Sequence, residues 1–444
     1  MMIQTKKWLV LGVSMTLVAG LLAGCGGKST PNASEGTETA SNANQPHKGK
    51  KLTVYLGNLP LGNTLKTMIP EFEKETGMKV EFQSFAEDQL SQKLSIQLTT
   101  QASVPDVFML RPPQEAKLFA KNGWVYPLDE LARQDADYDF GDFSESATQA
   151  NVVDDKLIGI PVLLDQTVVY YRKDLLEKAG IAVPKTLDEL EEAIKTLHDP
   201  KKEVYGFVAR GQRSALVTMV APFLFSEGAD FMQGDKATVN TPEAIKGFGR
   251  YANWLKNYGP PGVLNMAFPQ AWGIFAQGKA AFFIEFSSSY TNGTDKEKSV
   301  VADDIGYAVF PTGAAGSKPV SASTWALSIN ANAADKDAAW QFIKWATSKK
   351  MVGTLQKEGN PGVRDSVWND PESTSAFPAE LVEVTLENSK IGIGHDRPQV
   401  ISVGEAREII GDIVVKAMLG EDIQAAADKA NKDFQALIDK EKLK

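Results

Sequence analysis

An α/β protein with at least two lobes, the first built on a parallel sheet flanked by helices, is what this sequence predicts. Three observations carry the prediction. The 444 residues are too many for one ordinary hydrophobic core. The first part of the body alternates strand and helix patterns in the order β-α-β-α-β. No internal repeat and no second long linker interrupts the remainder, so the lobes must be joined by short hinge segments.

Taken from the N-terminus, Met1 to Lys7 is short and basic, and Trp8 to Ala23 is apolar but too short for a comfortable membrane span. That pattern is a secretory signal peptide over residues 1–24. Its end, Leu22-Ala23-Gly24-Cys25, resembles the bacterial lipobox, in which the chain is cut before the cysteine and the thiol is acylated. Residues 25–50 are rich in Ser, Thr, Asn, Gly and Ala and read as a flexible tether behind a lipidated Cys25. The expected location is therefore the outer face of a cell membrane, held by lipid.

Lys51 to Leu56 reads as a first strand and Asn58 to Gly62 as a turn. Leu65, Met68, Ile69 and Phe72 recur at helical spacing, with Pro70 predicting a kink or a late start and Gly77 a stop. Val80 and Phe82 alternate as a second strand, Leu90, Leu94 and Leu98 mark a helix, and Val107 to Leu110 is a buried strand. Such an order makes a parallel sheet, whose ligands bind at the carboxyl ends of the strands. Asn58 and Arg111 follow two of those ends. Farther on, Thr186-Leu-Asp-Glu189 is a capping box, Tyr205 to Ala209 a strand, Ala333 to Ser348 a helix, and Ile409 to Leu437 helical with a break at Gly420.

Composition removes several function classes. A formal net charge of −9 argues against a nucleic-acid surface. One cysteine cannot form an internal disulfide, and the scattered His47, His198 and His395 make no metal motif, so no metal or cofactor is expected.

Several stretches read together resemble the family 1 extracellular solute-binding proteins of ABC importers, the class that includes the maltose-binding protein. They are Phe72 to Val80, Pro105 to Phe108, Gly123 to Leu131, Lys156 to Pro161, Tyr171 to Gly180, Phe275 to Phe282, Thr324 to Ile329, and Asn360 to Arg364 with Asp365-Ser-Val. The resemblance implies a two-lobe, type II periplasmic-binding-protein-like fold, each lobe a mainly parallel sheet flanked by helices, with a ligand cleft between the lobes. Lobe one would be 51–160 plus 310–350, and lobe two 161–309 plus 351–444. It also implies a monomer without cofactor that binds a carbohydrate or polyol and hands it to membrane permease subunits. Many members carry a Gly-Gly pair where this chain has Ser323-Thr324, implying a narrower cleft or added hydroxyl contacts.

A sugar presents apolar C–H faces and a rim of hydroxyls, so its site needs aromatic rings beside planar polar side chains. Trp325 is the best aromatic candidate, with Trp272 in a helical stretch as a second. Tyr170 and Tyr171 alternate along a strand, so only one can face the cleft. Asp165 and Gln166 follow a proposed crossing. Glu285 lies in the apolar run Phe282 to Phe286, where a carboxylate needs a partner. Arg364 resembles a family arginine near the cleft, to touch ligand or to brace the lobe. Asn58 and Arg111 complete the candidates. Two other readings stand beside this one: a surface-anchored glycoside hydrolase or lyase, which needs two carboxylates facing one bond, and a binder of a cation such as a polyamine.

Overall fold

The structure, a computed structural model, describes residues 45–443. The signal peptide, Cys25 and the tether up to residue 44 lie outside the described residues. The end of the expected tether is docked: His47 and Lys50 face Asp335 at 3.7 and 3.2 Å, and the Gly49 N–H donates to the Gly77 carbonyl.

Twelve strands occur among the described residues: β1 (Lys51–Gly57), β2 (Lys79–Phe85), β3 (Val107–Leu110), β4 (Val152–Val153), β5 (Lys156–Leu157), β6 (Ile160–Arg172), β7 (Tyr205–Val208), β8 (Met232–Gln233), β9 (Lys236–Ala237), β10 (Ala280–Phe286), β11 (Ile305–Ala308) and β12 (Ser321–Ile329). β4–β5 and β8–β9 are small hairpins, while the others run in the order β2-β1-β3-β12-β6-β10-β7, with β11 also on β6. β1 lies parallel to β2 and β3, as the N-terminal pattern predicts.

β6 organises everything else. Its first half, Ile160 to Gln166, pairs with β12, and its second half, Thr167 to Arg172, pairs with β10 and β11. One unbroken strand thus belongs to both lobes. A first-lobe core gathers Leu56, Phe72, Phe108, Ile160, Leu327 and Phe342. Two second-lobe cores lie on the faces of the β6–β10–β7 sheet, one around Phe207, Phe223 and Trp254, the other around Tyr170, Phe275 and Phe283.

The other crossings fall later than the sequence placed them. Phe310, Val320 and Ala322 pack in a second-lobe core, because 310–320 runs along that lobe and the Lys318 N–H donates to Ser226 Oγ at 3.0 Å. The chain therefore re-enters lobe one within β12 rather than at 310. Met351, Leu355, Val363 and Val367 pack in the first-lobe core, and Trp368 is the first later residue in a second-lobe core. The boundary at 351 accordingly moves to about residue 367.

Local signals mostly produce their elements. Helix Pro60–Thr76 closes on Gly77 at φ 69°, and the Thr186–Glu189 capping box is formed in both directions. The late start expected from Pro70 does not occur. Pro70 is on the exposed face, where water can satisfy the carbonyl it frees. The C-terminal helices are Val403–Leu419 and Ile423–Lys442, parted at Gly420.

β11 pairs with β6 along Ile305 to Ala308, and one approach in that ladder is close. Gly306 lies opposite Tyr171, and a Cβ there would sit 2.1 Å from the ring Cζ. The ring cannot swing away freely, because its hydroxyl donates to Glu380 Oε1 at 2.6 Å. Gly306→Ala should cost about 1–3 kcal/mol, as overpacked cores do, measured as a lower urea midpoint at unchanged slope.

Candidate functional site

The carboxyl edges of the two half-sheets meet along β6. β1 and β3 end at Gly57 and Leu110, which brings Asn58 and Arg111 to the first edge. Asn58 is exposed, and its N–H donates to the Phe85 carbonyl at 2.7 Å. Arg111 precedes helix Pro112–Lys121. Its N–H donates to Glu115 Oε2 at 2.7 Å and its Nη2 to Ser91 Oγ at 2.9 Å, while Nε receives no partner. The guanidinium lies 6.0 Å from the centre of the Trp325 ring.

Trp325 reaches this edge because β12 shifts register between Ser323 and Ala326. Such an irregularity re-aims a side chain that strict alternation would fix. Its ring lies against Gly57, where an added Cβ would meet it at 3.2 Å. The Ser323-Thr324 pair supplies hydroxyls as the sequence suggested, though to protein groups. Ser323 Oγ donates to the Trp325 carbonyl at 2.9 Å, and Thr324 Oγ1 to Asp165 Oδ2 at 3.0 Å.

Asp165 is 6% exposed, and its Oδ1 forms no hydrogen bond of good geometry although Ser288 lies beside the carboxylate. Burial pushes this carboxyl above its usual range, with nearby Glu285 adding to the rise. Glu285 is fully buried, yet it has a partner. Arg210, which follows β7, donates Nε to Oε2 at 2.7 Å and Nη2 to Oε1. The Arg210 guanidinium lies 5.7 Å from the Phe268 ring and 5.8 Å from the Phe286 ring. Burial alone would lower its pKa; the Glu285 charge reverses the direction. Next in line is Asp396, whose carboxylate is gripped by both Nε and Nη2 of Arg397. Burial pushes Asp396 up, but Arg397 and Arg407 outweigh it and hold the carboxyl low. Arg397 Nη1 then donates to Gln114 Oε1 at 2.9 Å on the first lobe. A line of polar groups thus runs from Thr324 through Asp165, Glu285–Arg210 and Asp396–Arg397 to Gln114, crossing between the lobes at both ends.

The structure sets other candidates apart from this line. Gln166 follows Asp165 on an extended strand and so points to the opposite face. Its amide donates to Ser321 Oγ, the Thr385 carbonyl and Ser389 Oγ at 3.2, 3.3 and 3.0 Å. Trp272 is packed edge-on against Tyr170 and Phe283, in a core. Neither Tyr170 nor Tyr171 lines the gap, since both are buried and their hydroxyls are spent on the Phe286 carbonyl and Glu380. Arg364 braces the first lobe. It is 1% exposed, lies 4.1 Å from the centre of the Phe143 ring, and donates to the carbonyls of Thr347, Asp139 and Tyr138 and to Asp142. Arg210, Phe268, Asp396 and Gln114 escaped the sequence reading. The strand-end rule that nominated Arg111 would have found Arg210, one residue beyond Ala209.

Two substitutions separate these roles. A carboxyl raised by folding contributes stability that is present below its unfolded pKa and lost as pH rises through its folded pKa. Asp165→Asn should therefore raise the ligand-free melting midpoint at pH 7 and flatten its decline with pH, seen by calorimetry across the acidic range. Arg364→Met should cost about 3–5 kcal/mol, since it removes a buried guanidinium that donates to three carbonyls and pairs with Asp142, read as a fall in urea midpoint.

The body matches the model of the family described as bacterial extracellular solute-binding protein over residues 57–352. A mannitol-binding protein of Pseudomonas aeruginosa is 31% identical over 316 residues, covering 68% of this chain and 70% of that one. A solute-binding protein of Agrobacterium radiobacter K84 in complex with ribitol is 28% identical at a TM-score of 0.74, covering 88% of this chain and 100% of the other. Another from Agrobacterium vitis S4, with bound D-mannitol, is 27% identical at 0.68, covering 89% and 99%. With this fold and a family match spanning most of the described body, the chain belongs to the bacterial extracellular solute-binding proteins.

Proposed function

We propose that the protein is the extracytoplasmic substrate-binding component of an ABC importer, that it captures a sugar or sugar alcohol, with an acyclic polyol favoured, and that it delivers this ligand to the permease. The observation that carries the reading is the polar line between the lobes, in which arginines fix Glu285 and Asp396, with Trp325 and Arg111 at the first-lobe edge. Asp165 Oδ1 is a buried acceptor that a ligand hydroxyl would satisfy. An unmet buried polar atom costs about 1–3 kcal/mol, so ligand and protein each gain by the match. The relatives that bind mannitol and ribitol support the polyol class.

The ligand-contacting set is Asp165, Glu285, Trp325, Arg111 and Asn58, joined by Arg210, Arg397 and Thr324. Glu285 and Asp396 each have an arginine partner, and burial raises the pKa of Asp165, the carboxyl without one, which favours a neutral hydroxylated ligand over a polyamine, whose charge needs surplus carboxylates. The geometry also disfavours glycoside cleavage. Both Glu285 oxygens already accept from Arg210, and Oε1 accepts from the Phe286 N–H too, so this carboxylate is poorly placed to move a proton. The protein makes and breaks no bond; it binds, closes and docks as a monomer. Cys25 carries the lipid that keeps it at the outer membrane face.

A thermal-shift panel of D-mannitol, ribitol, maltose and putrescine tests the ligand class. A site filled at one hundred times Kd stabilises the native state by about 2.7 kcal/mol, so a polyol should raise the midpoint by several degrees and putrescine should not. No shift with any hydroxylated compound, or release of products from oligosaccharides, would sink the proposal. For the anchor, Cys25→Ala should move the protein from the membrane fraction to the medium and abolish labelling by an alkyne fatty acid.

A further inference from the structure

The side of β6 facing away from the ligand line carries a second polar cluster, and it sits where the chain passes between lobes. Gln166 is fully buried at the residue where β6 changes partners. Its N–H donates to Ser287 Oγ at 3.2 Å. Ser321, at the second crossing, accepts from the Gln166 amide, and its Oγ pairs with Ser146 Oγ of the first lobe at 2.8 Å. Helix Ala379–Ile391 of the second lobe closes the cluster. Thr385 and Ser389 accept from Gln166, and Asn388 Nδ2 donates to the Thr167 carbonyl at 3.1 Å. The end of that helix rests against Ser321, where a Cβ on Gly392 would lie 2.3 Å from the serine Cβ.

The pairing in this cluster is uneven. One amide nitrogen with two hydrogens serves three acceptors at 3.0–3.3 Å. Meanwhile Gln166 Oε1, Thr385 Oγ1 and Asn388 Oδ1 are buried and receive no hydrogen bond from the chain. Buried polar groups are ordinarily satisfied, so a cluster with shared donors and idle acceptors has a second pairing scheme within reach of small rotations. At a crossing between lobes, that is the property of a two-state hinge.

From this we infer that Gln166 is a positioning residue, whose amide exchanges hydrogen-bond partners as the lobes rotate and so sets the open–closed balance and the ligand affinity without touching ligand. The affinity part rests on the function proposed above; the hinge part does not. In the arrangement described, the lobes meet through Gln114–Arg397 and through Lys121 Nζ, which donates to the Glu441 carbonyl at 2.8 Å. The three Gln166 contacts hold the crossings in that arrangement, and removing them releases it.

The test uses the full chain with Cys25→Ser and nitroxides at Ile96→Cys in the first lobe and Val300→Cys in the second, residues that are 67% and 78% exposed. In Gln166→Met, which keeps the shape but not the hydrogen bonds, the ligand-free distance distribution should broaden and move outward. D-Mannitol should bind roughly tenfold more weakly, while the order of preference among mannitol, ribitol and maltose stays as in the parent. Ser389→Ala, a smaller change, should do the same to a lesser degree and serves if Gln166→Met does not fold. An unchanged distance distribution overturns the inference, and so does an altered preference order, which would put Gln166 in contact with ligand. If the parent binds no polyol, the proposed function fails, and the ligand-free distances still decide the hinge.

Discussion

The unbroken ladder of β6 is the constraint on which the rest of this molecule depends. Thirteen residues, Ile160 to Arg172, pair first with one lobe and then with the other. A strand cannot change sheets without keeping its alternation, so consecutive residues at the crossing must face opposite ways. Asp165 is turned towards Thr324 and Glu285, and Gln166 towards helix Ala379–Ile391. The proposed ligand line and the hinge cluster are therefore back to back on one backbone segment. A rotation that re-pairs Gln166 cannot leave Asp165 where it was.

Electrostatics explains why so polar a line is tolerated between two apolar cores. Buried ion pairs are weak evidence of stability, because desolvation offsets much of their attraction. Glu285–Arg210 and Asp396–Arg397 are better understood as preset geometry. Each guanidinium fixes a carboxylate in one orientation, and their charges compensate across the gap. Asp165 is the exception, since no arginine or lysine pairs with it and burial raises its pKa. A group that costs the ligand-free state stability is a common mark of a binding site.

Local patterns made much of the fold legible. The β-α-β-α-β opening, the Thr186 capping box and the Gly420 break were all readable, because each is decided within one helical turn or one strand. The segments 310–320 and 351–367 were not, because which lobe they join depends on tertiary packing against Ser226 and the first-lobe core. At the site, strand ends pointed to Asn58 and Arg111, but sequence could not say which side of a strand is wet. Gln166, Trp272 and Arg364 carry the side chains a sugar site would use, and they are spent on a hinge cluster, an aromatic core and a loop brace. Arg364 is the clearest case: four of its five N–H donors go to three carbonyls and Asp142, and nothing in the residues around it announces those carbonyls in advance.

The division of labour between lobes bears on how closure could be driven. In the proposed site the first lobe would offer mostly a flat apolar surface, Trp325, with Arg111 and Thr324 at its margin, and the second the fixed carboxylates and guanidiniums. A polyol resting on either half alone would lose water from one face and leave the hydroxyls of the other unmet, so neither half holds it well. In the proposed site, only closure of both would give each hydroxyl a partner. Moving a two-state equilibrium from one extreme to the other takes about 5.5 kcal/mol of differential binding. At about 1–1.5 kcal/mol for each net hydrogen bond, some four or five bonds made only in the closed form suffice. The polar line between Thr324 and Gln114 has that many groups, so in the proposed site new hydrogen bonds from them to ligand hydroxyls would supply the difference.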